Sequence, residues 1–290
     1  MAILGAHMSI AGGYYKAVDA ARRMGCDCVQ LFTKNNNQWR AKPIEEADKV
    51  KFQTALSEKK IGHPISHDSY LINMASPEDT LWKKSIDAFV IELQRAEQLG
   101  IPYVVAHPGA YTTSSEAKGL KRIIRALNEI HKQTTGLAAQ CLLETTAGQG
   151  SNLGWKFEHL ATVLDGVRDP DRLGVCYDTC HVFAAGYPTG SEKEYKATMR
   201  LLNKTIGVKK IKAFHLNDSL KPFGSRVDRH AHIGRGEMGL KPFGFLLADR
   251  RFRKVPMYLE TPKGEETEGR QKSMEMDVIN LQTLRKLIPK

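Results

Sequence analysis

Leu173-Gly174-Val175-Cys176-Tyr177-Asp178-Thr179-Cys180-His181 is a short apolar run that ends abruptly in ionisable side chains. Its length suits a buried strand and is too short for a helix of ordinary size. The same punctuation recurs along the chain. Apolar runs occur at Ile3–Ala6, Val29–Thr33, Pro64–His67, Tyr103–His107, Cys141–Thr145, Ile211–Leu216 and Val255–Thr261. The third ends at His67-Asp68, the fourth at His107-Pro108-Gly109, and the fifth carries Glu144. The seventh ends His215-Leu216-Asn217-Asp218, and the last reaches Glu260-Thr261.

Stretches of helical character lie between these runs. One is expected to start at Ser76 as N-cap, followed by Pro77, Glu78 and Asp79, and to stop at Gly100 and Pro102. Others are expected over Tyr14–Met24, Ser115–His131, Phe157–Leu164, Glu192–Ile206 and Met276–Leu287. Strand–helix alternation implies parallel strands joined by crossovers, which leaves a doubly wound open sheet or a closed barrel. The polar strand ends decide between them. At roughly 4.8 Å per strand an open sheet would spread these groups tens of ångströms apart. A barrel gathers them at one mouth, the C-terminal face where active sites lie. The expected fold is therefore α/β, one (β/α)8 TIM barrel spanning residues 1–290, with a metal site at the C-terminal face of its strands.

Composition agrees with a folded chain. Of its 290 residues 41% are hydrophobic and 26% charged, and no Ser/Gly linker or low-complexity tract marks a domain boundary. No apolar run approaches the roughly 20 residues that span a bilayer, and no secretory pattern opens the sequence, so no membrane partner and a cytoplasmic location are expected. The formal charge of +11 favours polyanionic partners. The basic clusters Lys83-Lys84, Lys121-Arg122, Lys209-Lys210 and Arg250–Lys254 read individually as solvated faces. Cys26, Cys28, Cys141, Cys176 and Cys180 suggest no disulfide framework and read as buried residues of a reducing compartment.

His67, His107, Glu144, Asp178, His181, His215 and Glu260 are joined by Asp228 and His230 in the loop Gly224-Ser225-Arg226-Val227-Asp228-Arg229-His230. Burying so many ionisable groups together is very unfavourable unless cations compensate them. A nitrogen and oxygen donor set without thiolate suits Zn2+ and also admits Mn2+ or Fe2+. Nine donors are too many for one ion, so two or three are expected.

His67-Asp68-Ser69-Tyr70-Leu71-Ile72-Asn73, Thr146-Ala147-Gly148-Gln149-Gly150-Ser151-Asn152-Leu153-Gly154, Asp178-Thr179-Cys180-His181, His215-Leu216-Asn217-Asp218 and Gly224 through His230 resemble the endonuclease IV family of apurinic/apyrimidinic (AP) endonucleases. The similarity runs from Gly5-Ala6-His7 to Glu260-Thr261. It implies the same barrel and three zinc ions: one held by His67, His107 and Glu144, a second by Glu144, Asp178, His215 and Glu260, a third by His181, Asp228 and His230. It also implies base excision repair of double-stranded DNA with abasic or 3′-blocked lesions. In that chemistry a metal-bound hydroxide attacks the phosphate 5′ to the lesion in line, leaving a 3′-hydroxyl and a 5′-deoxyribose phosphate.

Glu144 and Glu260 are candidates for orienting that hydroxide, or serve as ligands alone. Tyr70 and Leu71 are expected to wedge into the duplex beside a flipped abasic sugar, which costs little to rotate out. Gln38, Trp39 and Arg40 are candidate DNA contacts, and Arg229 a phosphate contact. Two departures from the family pattern stand out: Asn36-Asn37 where a basic residue can occur, and Thr145 where Asn is common. His7 is placed at the pocket wall, and His232 beside the third group. A monomer suffices for this chemistry.

Two other readings share some of the signal. A one-metal sugar isomerase would use Glu144, Asp178, His215 and Glu260, but has no need of the other five. A catalytically silent binder of damaged DNA would not need a water-activating site.

Overall fold

Residues 2–263 and 269–289 of the computed structural model are described. Eight parallel strands close on themselves: β1 (Leu4–His7), β2 (Cys28–Phe32), β3 (Gly62–His67), β4 (Tyr103–Ala106), β5 (Gln140–Glu144), β6 (Leu173–Asp178) and β7 (Ile211–His215), completed by the last strand of the chain, β10 (Met257–Leu259). That strand pairs with both β7 and β1, which seals the barrel. Between them stands a small antiparallel excursion of β8 (Asp218–Ser219) and β9 (His230–Ala231).

The helices are α1 (Tyr14–Arg23), α2 (Glu46–Lys59), α3 (Asp79–Leu99), α4 (Glu116–Gln133), α5 (Phe157–Gly166), α6 (Thr179–Ala184), α7 (Glu192–Thr205), α8 (Lys241–Ala248) and α9 (Gly269–Leu287). None is long and apolar enough to cross a membrane. Ser115 caps α4 by accepting from the Lys118 amide, and Ser191 forms a capping box with Glu194 on α7. Ser76 is not the N-cap expected of it. Its hydroxyl accepts from the Glu78 amide in a turn before the helix, and α3 starts at Asp79 with no side-chain cap. Gly100 in the left-handed region ends α3, as a glycine readily does.

Two apolar layers follow from the pleat. Residues facing the helices, such as Val29, Leu31, Val104, Leu143, Val175, Phe214 and Leu259, join the large core between strands and helices. Alternate residues form a separate plug inside the barrel: Cys28, Ile65, Val105, Leu142, Cys176, Ala213 and Tyr258. Gly5 lies where β1 meets β2, and a Cβ there would stand 1.9 Å from the Cys28 carbonyl oxygen. All five cysteines are free and buried.

Candidate metal centre

Two residues beyond each plug residue the same strand face returns, at the mouth of the barrel. Ile65 is followed in this way by His67, Val105 by His107, Leu142 by Glu144, Cys176 by Asp178, Ala213 by His215 and Tyr258 by Glu260. Cys28 is followed by Gln30, and Gly5 by His7. A single layer above an apolar floor thus holds a polar residue from every strand of the barrel.

Three groups of donors converge in and above this layer, the atoms of each within 4.8 Å of one another: His67, His107 and Glu144; Glu144, Asp178, His215 and Glu260; Asp178, His181 and His230. Glu144 joins the first two. Its Oε2 lies 3.3 Å from Nε2 of both His67 and His107. Its Oε1 lies 2.9 Å from His215 Nδ1 and 3.2 Å from His181 Nδ1. Asp228 adjoins the third group, 3.1 Å from His181 Nε2 and 3.3 Å from His230 Nε2. The structure thus places Asp178 as well as Asp228 against His181 and His230, where the resemblance named Asp228 alone.

Three of the imidazoles are oriented by their other nitrogen. His67 Nδ1 faces the Asp68 carbonyl at 3.0 Å, and His181 Nδ1 faces the Thr145 carbonyl at 2.8 Å. His230 Nδ1 is 3.2 Å from the Glu260 carbonyl. In the neutral imidazole a nitrogen that donates to a carbonyl leaves the lone pair on its partner, and His181 Nε2 and His230 Nε2 face each other at 3.4 Å. Lone pairs directed at one another beside carboxylates, with no thiolate among them, fit divalent cations of zinc's preferences.

Without cations, protons take their place. Burial opposes charge on His67, yet hydrogen bonds to Asp68 and Glu144 hold its pKa well above the usual imidazole value. His181 is raised in the same way, against burial, by Asp178 and Asp228. Burial opposes charge on Glu144 too, but His215 and His107 keep it well below the usual carboxylate range. Fixed positive charge is scarce: Lys263 lines the mouth, and its Nζ already lies 2.5 Å from Asp277.

Supporting contacts give the loops their shape. Thr145 uses its hydroxyl to accept from the Asp178 amide at 2.9 Å, which assigns that departure a structural task. Asn217 donates to Asp178 Oδ2 at 2.7 Å and accepts from the Glu260 amide. The glycine-rich segment after β5 braces the loop that carries Asp228: Arg226 donates to the Gly148 carbonyl and stacks 4.1 Å over Trp155, and Gln149 accepts from the Asp228 amide. Four backbone amides, of Ser219, Gly234, Gly236 and Met238, donate to the Asp218 carboxylate and fix the return from β9.

The mouth is a cavity of about 240 Å³ walled by His7, Phe32, His67, Tyr70, Glu260 and Lys263, among others. His7 lines it as expected, its pKa lowered to about 3 by burial. Tyr70 stands at the rim, 68% exposed, with its ring edge-on to Phe32 at 5.8 Å. Leu71 beside it is half-buried. Arg40, Gln38 and Arg229 are exposed, whereas Trp39 packs against the core under the Lys84 ammonium at 4.3 Å and lines no part of the cavity. His232 meets Asn280 of α9 at 3.1 Å. Phe32, Gln30 and Lys263 were not singled out by sequence. The alternation on β2, counted from Cys28, would have found the first two.

Residues 18–279 match the model of a family described as xylose isomerase-like TIM barrel. A protein of Citrifermentans bemidjiense named probable endonuclease 4 is 45% identical over 288 residues, covering 99% of each chain. The crystal structure of endonuclease IV from Thermus thermophilus superposes with a TM-score of 0.83 at 32% identity, over 98% of both chains. A D-psicose 3-epimerase of Clostridium cellulolyticum H10, at 13% identity and a TM-score of 0.68 over 99% of this chain and 100% of its own, shares the fold.

Proposed function

The chain belongs to the endonuclease IV group of the xylose isomerase-like TIM-barrel family, and on that footing we propose that it is a zinc-dependent hydrolase of damaged DNA. It cuts the phosphodiester 5′ to an abasic nucleotide in duplex DNA, leaving a 3′-hydroxyl and a 5′-deoxyribose phosphate, and so serves base excision repair. The convergence of the three donor groups at one barrel mouth carries the reading. His67, His107 and Glu144 would hold one zinc, Glu144, Asp178, His215 and Glu260 a second, and His181, Asp228 and His230 a third.

When bound, divalent cations there supply water activation near neutral pH and neutralise charge on the phosphate oxygens. The protein's own groups hold and orient. Glu144 turns one oxygen to each of two donor groups, which fixes their separation. Glu144 and Glu260 orient the attacking water. The mouth opens into a cavity of about 240 Å³, which a sugar without its base would enter. An abasic sugar leaves the stack at small cost. Tyr70, exposed at the rim, and Leu71 fill the gap it leaves, Arg40 and Arg229 meet phosphates, and the excess of positive charge draws the duplex in. The protein acts as a monomer and accepts 3′-blocked ends as well.

The sugar-isomerase reading accounts for Glu144, Asp178, His215 and Glu260 and for none of the other five donors. One assay separates the readings: a labelled duplex with a single synthetic abasic site, no added magnesium, and analysis of product ends. Cleavage 5′ to the lesion with an extendable 3′-hydroxyl, and none on undamaged duplex, is expected. Tyr70→Ala with Leu71→Ala should weaken binding of this duplex about 10- to 100-fold, with metal content unchanged. An intact duplex in the presence of metal-filled protein would overturn the nuclease reading.

A further inference from the structure

Gln30 occupies the position in the mouth layer that other strands give to a donor residue, yet it brings an amide where the three donor groups are built of His, Asp and Glu. It is fully buried. Its Nε2 donates to Glu260 Oε1 at 2.5 Å and to His7 Nδ1 at 3.0 Å, and its Oε1 lies 2.7 Å from His215 Nε2. An amide oxygen only accepts, so His215 must carry its proton on Nε2. A cation would then take the place of a second proton on Nδ1, on the side where Glu144 Oε1 stands at 2.9 Å and Glu260 Oε2 at 3.1 Å.

We propose that Gln30 is a positioning residue of the metal centre: its one amide plane fixes both the tautomer of His215 and the rotamer of Glu260, and thereby sets the affinity of the group they share with Glu144 and Asp178. The inference rests on the reading of that group as a cation site. Alternative side chains show why an amide stands here. A carboxylate would still accept from His215 but would repel Glu260 in a layer already rich in negative charge. An aliphatic chain would leave His215 Nε2–H without its acceptor and Glu260 Oε1 without its donor, away from water. Partners of this kind change metal affinity about 10- to 100-fold when removed.

The test uses zinc and no DNA. Zinc-loaded wild-type protein, Gln30→Leu and Gln30→Glu are titrated with a chromophoric chelator while zinc per chain is counted, and the melting temperatures of the metal-free forms are recorded alongside. One zinc equivalent should leave Gln30→Leu at about 10- to 100-fold lower chelator concentration than wild type. Gln30→Glu, which keeps the acceptor for His215 and loses the donor to Glu260, should lose the same equivalent early. A Gln30→Leu curve that superposes on wild type overturns the proposal, even if the metal-free melt has fallen, because packing alone would produce that result. Should Gln30→Leu fail to fold, an unshifted Gln30→Glu curve overturns it equally. A wild-type chain that takes up no zinc removes the cation site and this role together. Failure of the wild-type chain to cut an abasic duplex, with the shift present in the Gln30 variants, removes the nuclease reading only.

Discussion

Two of the sets of buried ionisable side chains in this molecule are balanced in opposite ways. On the flank of the barrel, beneath the loop after β2, Lys34 Nζ lies 3.2 Å from Glu92 Oε1, with side-chain exposures of 3% and 2%. Glu92 also accepts from Thr33, and Lys34 donates to the Gln38 carbonyl. Arg95, one turn along α3, donates to the carbonyls of Lys42 and Thr33 and to the Tyr14 hydroxyl. In the mouth, by contrast, Glu144, Asp178, Asp228 and Glu260 face histidines that become cationic only by taking up protons. The flank is closed: Lys34 and Glu92 neutralise each other, and Arg95 directs both terminal nitrogens to carbonyls and a hydroxyl within the chain. The mouth is open, and its carboxylates are neutralised only by something added, whether protons or metal ions. A buried ion pair is a weak source of stability but a firm fixative, because breaking it strands a charge. The flank fixes the backbone of Gln38, which lies in a proposed DNA-contacting loop, while the mouth binds.

The contrast can be broken first at the mouth. Glu144→Gln removes the carboxylate that joins two donor groups, and a loss of roughly 4 kcal/mol of transition-state stabilisation, on the order of 10³-fold in abasic-site cleavage, is expected. Cleavage assays at saturating zinc would check this, and a variant within tenfold of wild type would deny Glu144 its central place. The flank should respond in stability instead. Glu92→Ala strands Lys34 and should cost about 3–5 kcal/mol in denaturant unfolding. The pair Lys34→Met with Glu92→Leu should recover much of that loss, since an apolar replacement strands no charge and costs only the hydrogen bonds to the Thr33 hydroxyl and the Gln38 carbonyl. No such rescue is open to the mouth.

The smallest effect expected is in pH. His67 and His181 are raised above their unfolded values in the metal-free site. Their protonation therefore contributes stability that is complete below about pH 6.5 and lost as pH rises through the raised folded values. Metal-free protein should melt progressively lower above that pH. The increment from added zinc should grow over the same range, because zinc displaces those protons. Melts with and without chelator at several pH values would show it, and a zinc increment that shrinks as pH rises would contradict the account.

Much of this was legible in the sequence, for a physical reason. Parallel barrel strands are buried on both faces, so they read as short apolar runs, and a polar residue ending such a run has nowhere to go except the mouth. That is why His67, Glu144, Asp178 and His215 stand out. Gln30 does not, because it sits inside its run and an amide carries no obvious metal chemistry. Its role depends on what lies across the barrel. Helix α2 escaped notice because only Phe52 and Ala55 are buried along it, too few to make a pattern. The β8–β9 pair escaped because its strands are 2 residues each. Ser76 misled because a serine followed by Pro and acidic residues suits a turn before a helix as well as a cap.

Asp228 and His230 differ in origin from the other donors. They come from the excursion between β7 and β10, which is held by the Asp218 carboxylate through Gly234, Gly236 and Met238. The barrel closes without it, since β10 pairs directly with β7 and β1. Two donors of the third group, Asp228 and His230, are thus a cassette mounted on a finished scaffold that already carries Asp178 and His181. A barrel with a shorter connection at this point would keep the floor and the group built from Glu144, Asp178, His215 and Glu260. Lengthening that single loop would be enough to add Asp228 and His230.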